Sequence, residues 1–167
     1  PQFHAAATDN ACLNLDGWAM THTCLMARAQ SEPAPLIIEG AMGLFDGELP
    51  HARGSAARVA KTLDLPIVLI VDAAKTAQSV AAVVRGMMLH DPNVQIAAVI
   101  LNRVGSDKHH RMIKSAWGDL PLIIGAVPRS GQLSHPSRHL GLVQADERKD
   151  LTEWLDALAD TAEAHID

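Results

Sequence analysis

The sequence predicts an α/β protein in which a doubly wound, mostly parallel sheet is flanked by helices. Two apolar runs, at 66–71 and 96–101, have no alternating polar residues, which is typical of strands buried on both faces. Segments with apolar residues at helical spacing separate these runs. Alternation of strands and helices requires crossover connections between parallel strands. A length of 167 residues with 48% apolar content fits one domain spanning residues 1–167.

Each element follows from a local pattern. A first helix is predicted from Gly17 to Gln30, with Asp16 as its N-cap. Four strand and helix pairs come after it. The predicted strands are 36–39, 66–72, 96–101 and 122–127. The predicted helices are 56–63, 77–90, 107–117 and a final one with Leu151, Trp154, Leu155 and Leu158 on one face.

Composition argues against several partners. The net charge is −5, basic residues are scattered, and tyrosine is absent, so a nucleic-acid-binding surface is not expected. No apolar segment reaches membrane-spanning length and no secretory signal pattern opens the chain, so the sequence predicts a cytoplasmic protein without a membrane partner. The two cysteines, Cys12 and Cys24, are expected to be reduced and buried.

The segment 36–47 carries the clearest functional signal. A short apolar run ends on Glu39, and three glycines and the second carboxylate of Asp46 follow it. Ligands of open parallel sheets bind beyond the carboxyl ends of the strands, where Glu39 would lie. Glycines there allow backbone N–H groups to approach an anion, and a carboxylate can hold Mg²⁺. The alternative is a glycine-rich turn with an exposed acid.

Two further strand ends carry polar groups, Asp72 and Asn102. The predicted topology brings both to the same edge of the sheet as Glu39. Capping of the following helix is the favoured role for Asp72. The amide of Asn102 suits recognition of a nucleotide base edge, and a plain turn residue is an equal alternative.

Several familiar motifs are absent. The chain contains neither G-x-x-x-x-G-K-[ST] nor G-x-G-x-x-G, so a nucleotide site is incomplete on these residues alone. Either the chain binds something else, or a phosphate loop lies upstream of Pro1. The histidine spacings disfavour zinc, because His109 and His110 are adjacent and Pro136 interrupts the His135–His139 pair.

Two blocks of sequence carry a family resemblance. They are Glu39-Gly40-Ala41-Met42-Gly43-Leu44-Phe45-Asp46-Gly47 and Arg138-His139-Leu140-Gly141-Leu142. Further matching segments are 1–4, 14–16, 54–55, 71–73, 78–79, 84–86, 100–106 and 136–137. With these segments in family order over nearly its whole length, the chain resembles the ATP-dependent synthetase domain of cobyrinic and hydrogenobyrinic acid a,c-diamide synthases.

The resemblance implies a fold like dethiobiotin synthetase and its P-loop relatives. It implies a C–N bond-forming ligase of cobalamin biosynthesis, a glutamine-dependent amidotransferase that amidates the a and c carboxylates of the corrin substrate. ATP with Mg²⁺ would phosphorylate each carboxylate, and ammonia from a glutaminase domain would displace the phosphate.

The resemblance also implies roles for individual residues. Glu39 would be a catalytic residue and the Mg²⁺-binding acid, and Asp46 a second catalytic acid near the metal or substrate. Asn102 and Arg103 would bind the nucleotide. Three residues are implied to contact the substrate: Asp16, Arg138 and His139.

Two departures from the family pattern bear on activity. The lysine-bearing phosphate loop with its first strand, and the glutaminase domain, are not found in this sequence. Residues 1–167 alone are therefore expected to be an inactive piece of the synthetase domain. Relatives of this kind often pair as homodimers, so a homodimer is one expected assembly. The alternatives are another ligase of the same fold, such as cobyric acid synthase or dethiobiotin synthetase, and a partition-type ATPase or nucleotide-gated interaction module.

Overall fold

A computed structural model describes residues 2–31, 35–131, 137–138, 141–142 and 144–167. The helices and strands follow one another in this order: α1 (Gln2–Thr8), α2 (His22–Gln30), α3 (Ala56–Leu63), β1 (Ile67–Asp72), α4 (Ser79–His90), β2 (Ile96–Val104), α5 (Asp107–Lys114), β3 (Leu122–Pro128), β4 (Ser137–Arg138), β5 (Gly141–Leu142) and α6 (Leu151–His165). A short 3₁₀ helix, Ala145–Glu147, precedes α6. None of the helices in the described part of the chain is long and apolar enough to cross a membrane.

The central sheet has the strand order β1-β2-β3, and both pairs of neighbours are parallel. The register of β1 on β2 aligns Val68 with Ala98 and Asp72 with Asn102. Crossover helices connect these strands, because parallel neighbours cannot be joined by a tight turn. The predicted α/β class with a parallel sheet flanked by helices is thereby confirmed. The register places Asp72 and Asn102 side by side at the carboxyl edge of the sheet.

The core forms where α3, α4 and α5 pack against β2. Its largest fully buried side chains come from β2, α4 and α5: Leu101, Val99, Val80, Val84 and Ile113. Ala57 of α3 belongs to the same cluster, and its small side chain permits close helix packing. This core fixes the ends of β1 and β2, and therefore the residues that follow them.

Strand β1 differs from its prediction. The apolar run predicted burial on both faces, but its residues alternate between half-buried and exposed. Val68 is 48% exposed and Ile70 is 65% exposed, while Leu69 packs against the core. The reason is that β1 is the outer strand of the described sheet, and no described element covers its second face.

The strand predicted at 36–39 is wrong. Residues 36–40 form no strand, and Ile37 is 90% exposed. A strand needs the backbone hydrogen bonds of a neighbouring strand, and no described strand pairs with this segment. The apolar run is therefore present in the sequence without the pairing that would make it a strand.

The first predicted helix begins later than expected. Residues 17–19 form a single turn, in which Asp16 Oδ1 accepts from the N–H groups of Trp18 (2.8 Å) and Ala19 (3.0 Å). The N-cap of α2 is instead Thr21, whose side chain accepts from Cys24 N–H. Helix α1, at 2–8, had no counterpart in the sequence prediction. The expected burial of the cysteines is also wrong, because Cys12 and Cys24 are both exposed.

Candidate functional site

Asp72 and Arg103 form an ion pair at the carboxyl edge of the sheet. Arg103 Nε donates to Asp72 Oδ1 at 2.7 Å, and Arg103 Nη2 donates to Asp72 Oδ2. Ala74 N–H donates to the same carboxylate at 3.0 Å. The hydrogen bonds from Arg103, and then the one from Ala74, lower the pKa of Asp72 to about 2. The guanidinium is thus held in one orientation while the pair stays about half exposed to solvent.

Asn102 stabilises the unusual backbone that presents Arg103. The φ angle of Arg103 is +59°, a left-handed conformation that costs a non-glycine residue about 1 kcal/mol. The side-chain oxygen of Asn102 accepts from Arg103 N–H at 2.9 Å, a local bond from side chain to backbone that supports this conformation near the end of β2. Among the described residues, no hydrogen bond uses the amide NH₂ group of Asn102. That group is available to a ligand.

The glutamate singled out in the sequence lies in an exposed loop. The Glu39 side chain is 73% exposed, and its Oε2 lies 2.5 Å from His4 Nε2 in α1. A single exposed carboxylate fits Mg²⁺, which keeps several waters and is bound by one or two carboxylates together with substrate phosphates. Among the described residues, no group of three or more histidine, cysteine or acidic side chains could hold a metal ion.

Asp46 closes a tight turn in the same loop. Its Oδ2 accepts from Gly43 N–H at 3.0 Å, and its own N–H donates to the carbonyl of Gly43 at 3.0 Å. A Cβ added at Gly43 would lie 2.4 Å from Asp46 Oδ2. A side chain at 43 would therefore force the carboxylate of Asp46 to move away and to lose its hydrogen bond with the N–H of residue 43.

A cluster of three residues attaches the following segment to the turn after Asp16. Trp18 Nε1 donates to Glu48 Oε2 at 2.7 Å. Arg53 donates to the carbonyl of Trp18 at 2.7 Å and lies 5.6 Å above its indole ring. No pattern in the sequence predicts this cluster. Its members are far apart in sequence and form no motif, so only the folded chain reveals them.

The structure does not join the two halves of the predicted site. Among the described residues, no hydrogen bond or ion pair links Glu39 or Asp46 to Asn102 or Arg103. Phe45 packs on His90, with ring centroids 4.4 Å apart. His90 ends α4, a helix that begins near the carboxyl edge and is about 18 Å long. The loop that follows Glu39 is therefore attached at the end of α4 remote from the nucleotide-binding candidates.

The remaining candidates lie near the end of the chain. Arg138 belongs to β4, where it pairs with Gly141 of the antiparallel strand β5. His139 lies outside the described residues. The structure thus gives a backbone position for Arg138 and leaves the roles of both residues as predictions.

Comparison with known proteins identifies one matching family model and several relatives that share one name. A family model described as "AAA domain" matches residues 1–137. Hydrogenobyrinate a,c-diamide synthase of Brucella anthropi is 46% identical over 172 aligned positions, covering 100% of this chain and 39% of that protein. The proteins of the same name from Rhodobacter capsulatus and Mesorhizobium japonicum are 46% and 43% identical, and the match again covers 100% of this chain. The chain spans about two fifths of the length of these curated relatives.

No solved structure matches the chain. The family match covers residues that include the Glu39 loop, Asp72, Asn102 and Arg103. The chain belongs to the AAA domain family.

Proposed function

We propose that the protein is a C–N bond-forming ligase that amidates the a and c carboxylates of hydrogenobyrinic or cobyrinic acid at the expense of ATP. The observation that carries this proposal is the 46% identity to a hydrogenobyrinate a,c-diamide synthase along every residue of the chain. The activity belongs to the full-length protein, because the relatives are more than twice as long.

The chemistry explains why ATP is needed. A carboxylate is a poor electrophile, and transfer of the γ-phosphoryl group to one of its oxygens creates an acyl phosphate with a good leaving group. The nitrogen of ammonia then attacks the carbonyl carbon, phosphate leaves, and a proton is released as the carboxamide forms. Protein side chains contribute mainly by positioning the reactants and by stabilising charge on the phosphoryl group.

The carboxyl edge supplies the proposed nucleotide contacts. The free NH₂ group of Asn102 can donate to a ring nitrogen or carbonyl of the base. Arg103 uses part of its donor fork on Asp72, and its remaining N–H groups can donate to an anionic or carbonyl oxygen. The ion pair fixes the direction of these donors before the ligand arrives, which reduces the entropy lost on binding.

The acids and the remaining candidates complete the proposal. Glu39 would hold Mg²⁺, which when bound neutralises charge that develops on the transferred phosphoryl group. This role requires the loop of Glu39 to approach the carboxyl edge, to which no hydrogen bond or ion pair in the described part of the chain joins it. Asp46 keeps the loop after Glu39 closed, and Asp16, Arg138 and His139 are proposed to contact the corrin substrate. Ammonia would come from a glutaminase domain, and the protein would act in the cytoplasm.

The test is an assay of the full-length protein with ATP, Mg²⁺, glutamine and each corrin acid in turn, measuring diamide and ADP. Asn102→Ala should raise the KM for ATP about fivefold or more, because one hydrogen bond is worth about 1 kcal/mol. Glu39→Gln should lower kcat on the order of a hundredfold, because the charge that holds the cation is lost.

Matched controls are Asn10→Ala and Glu163→Gln, which change the same residue types at exposed positions. Both should leave KM and kcat unchanged. Absence of diamide with both corrin acids, or ATP hydrolysis that requires DNA or membranes, would contradict the proposed function.

A further inference from the structure

We propose that His109 is a positioning residue that ties the β1–α4 loop (73–78) to the β2–α5 loop (105–106) and thereby orders the carboxyl edge beside Asn102. The role rests on the proposed function, because it assigns that edge to ATP.

His109 first completes the N-terminus of α5. The N-cap Ser106 accepts from His109 N–H through its side chain at 3.2 Å, and Gly105 N–H donates to His109 Nδ1 at 3.0 Å. A capping box normally places glutamate or glutamine at this third helical position, where the side chain reaches back to a free backbone N–H. In a capping box that N–H belongs to the N-cap residue, whereas His109 Nδ1 accepts from Gly105, the residue before the N-cap, and the second ring nitrogen is left for another partner.

The second nitrogen reaches the neighbouring loop. His109 Nε2 hydrogen-bonds with the carbonyl oxygen of Thr76. Because Nδ1 accepts a hydrogen bond from Gly105, the proton of the neutral ring must be on Nε2, which then donates to Thr76. One tautomer therefore satisfies both contacts, and the imidazole bridges the two loops.

This bridge holds the half of the β1–α4 loop that the sheet does not hold. At the near end, the fully buried Ala73 donates its N–H to the carbonyl of Asn102 at 2.8 Å. At the far end, Lys75 has a left-handed backbone with φ of +62°, and Thr76 is the point where His109 attaches. Thr76 N–H and Thr76 Oγ1 also donate to the carbonyl of Ala73, both at 3.3 Å. Loss of the bridge would therefore leave Thr76 bonded within its own loop and no longer to α5, while the bond of Ala73 to the sheet remains.

Two substitutions separate the two contacts of the ring. In asparagine the side-chain oxygen is the same number of bonds from Cα as His Nδ1, so His109→Asn keeps an acceptor for Gly105 and loses the reach to Thr76. In glutamine the amide nitrogen is the same number of bonds from Cα as His Nε2, so His109→Gln keeps a donor for Thr76. His22→Asn, at an exposed histidine in α2, is the control.

The first measurement is amide hydrogen exchange of residues 75–78 in the full-length protein without nucleotide, with the amide of Ala73, which is bonded to the sheet, as the internal reference. Exchange should be about fivefold faster in His109→Asn, since a neutral hydrogen bond contributes about that factor, and near the original rate in His109→Gln. The second is steady-state kinetics, in which the KM for ATP should rise about fivefold in His109→Asn with kcat changed less than twofold.

Three results would overturn the proposal: unchanged exchange in His109→Asn, equal losses in the asparagine and glutamine variants, or faster exchange throughout β1, β2 and β3. The last would mean that His109 only stabilises the fold. If the full-length protein does not use ATP, the proposed function fails, and the exchange comparison still decides whether His109 holds the loops together.

Discussion

At the carboxyl edge of the sheet, neighbouring side chains hold both the backbone and the side chain of Arg103. Its backbone is held in a left-handed conformation by the side chain of Asn102, and its guanidinium is held by Asp72. Three residues from two adjacent strand ends therefore form one hydrogen-bonded unit. The parallel register of β1 and β2 is what makes this possible, because it aligns Asp72 with Asn102.

This ion pair predicts an unusually acidic carboxyl group. The Asp72 carboxyl should titrate with a pKa of about 2, followed by its side-chain carbon resonance as the pH is lowered. In Arg103→Gln the midpoint should rise towards the ordinary value of 3.8, because the largest cause of the shift is removed. Arg85→Gln, which removes the partner of Asp119 instead, should leave the Asp72 midpoint in place.

The same pair predicts a dependence of stability on pH. The pKa of Asp72 is lower in the folded protein, so its contribution to the free energy of unfolding is complete above pH 4 and is lost as the pH falls towards 2. The difference in urea midpoint between the original protein and Asp72→Asn should therefore shrink over that range. A difference that stays constant down to pH 2 would show that the carboxylate and guanidinium are not paired.

At the scale of elements, the sequence predicted correctly the helices and strands whose apolar residues pack against one another within this chain. Strands β1, β2 and β3 and helix α3 were predicted within a few residues, because their apolar residues pack on one another in a continuous core. The strand predicted at 36–39 was wrong. A strand forms there only if a neighbouring strand pairs with it, and the residues of the segment carry no information about that neighbour. Helix α2 was predicted too long because Asp16 caps a turn as effectively as it caps a helix.

The candidate site followed the same rule. Glu39, Asp72 and Asn102 were expected at one edge because each was predicted to end a parallel strand. The register confirms that Asp72 and Asn102 are neighbours. Residues 36–40 form no strand, so strand pairing does not bring Glu39 to that edge. His109 was considered only as a zinc ligand. The spacing of Ser106 and His109 is that of a capping box with histidine in place of glutamate, and this signal could have identified it.

Alanine substitutions at two glycines, one in the loop after Glu39 and one in α4, should change the free energy of unfolding in opposite directions. Gly43→Ala should lower the free energy of unfolding by about 1 kcal/mol or more, because the new Cβ would displace the Asp46 carboxylate that closes the turn. Gly86→Ala, in the middle of α4 with no atom within 4 Å of the new Cβ, should raise it by about 0.5–1 kcal/mol. Urea unfolding of both variants measures the contrast, and equal effects would contradict the account of the turn.

At the scale of the whole molecule, the described sheet is packed unevenly. One side of β2 is buried under α3, α4 and α5, while alternate residues of β1 remain exposed on the other side. The last residues of the chain reach β3, where Asp167 N–H donates to the carbonyl of Ile124 at 2.7 Å and Ile166 contacts Gly125. The core therefore depends on β2 far more than on β1.

This asymmetry predicts which side chains the fold depends on. Leu101→Ala should lower the free energy of unfolding by about 3 kcal/mol, because Leu101 is fully buried in β2 and its truncation leaves a cavity. Ile70→Ala in the adjacent strand should cost less than about 1 kcal/mol, because the side chain is already 65% exposed. The two variants remove side chains of similar size from neighbouring strands, so each serves as the control for the other. If denaturant unfolding of the full-length protein gave equal losses, an element outside the described residues would have to cover that face of β1.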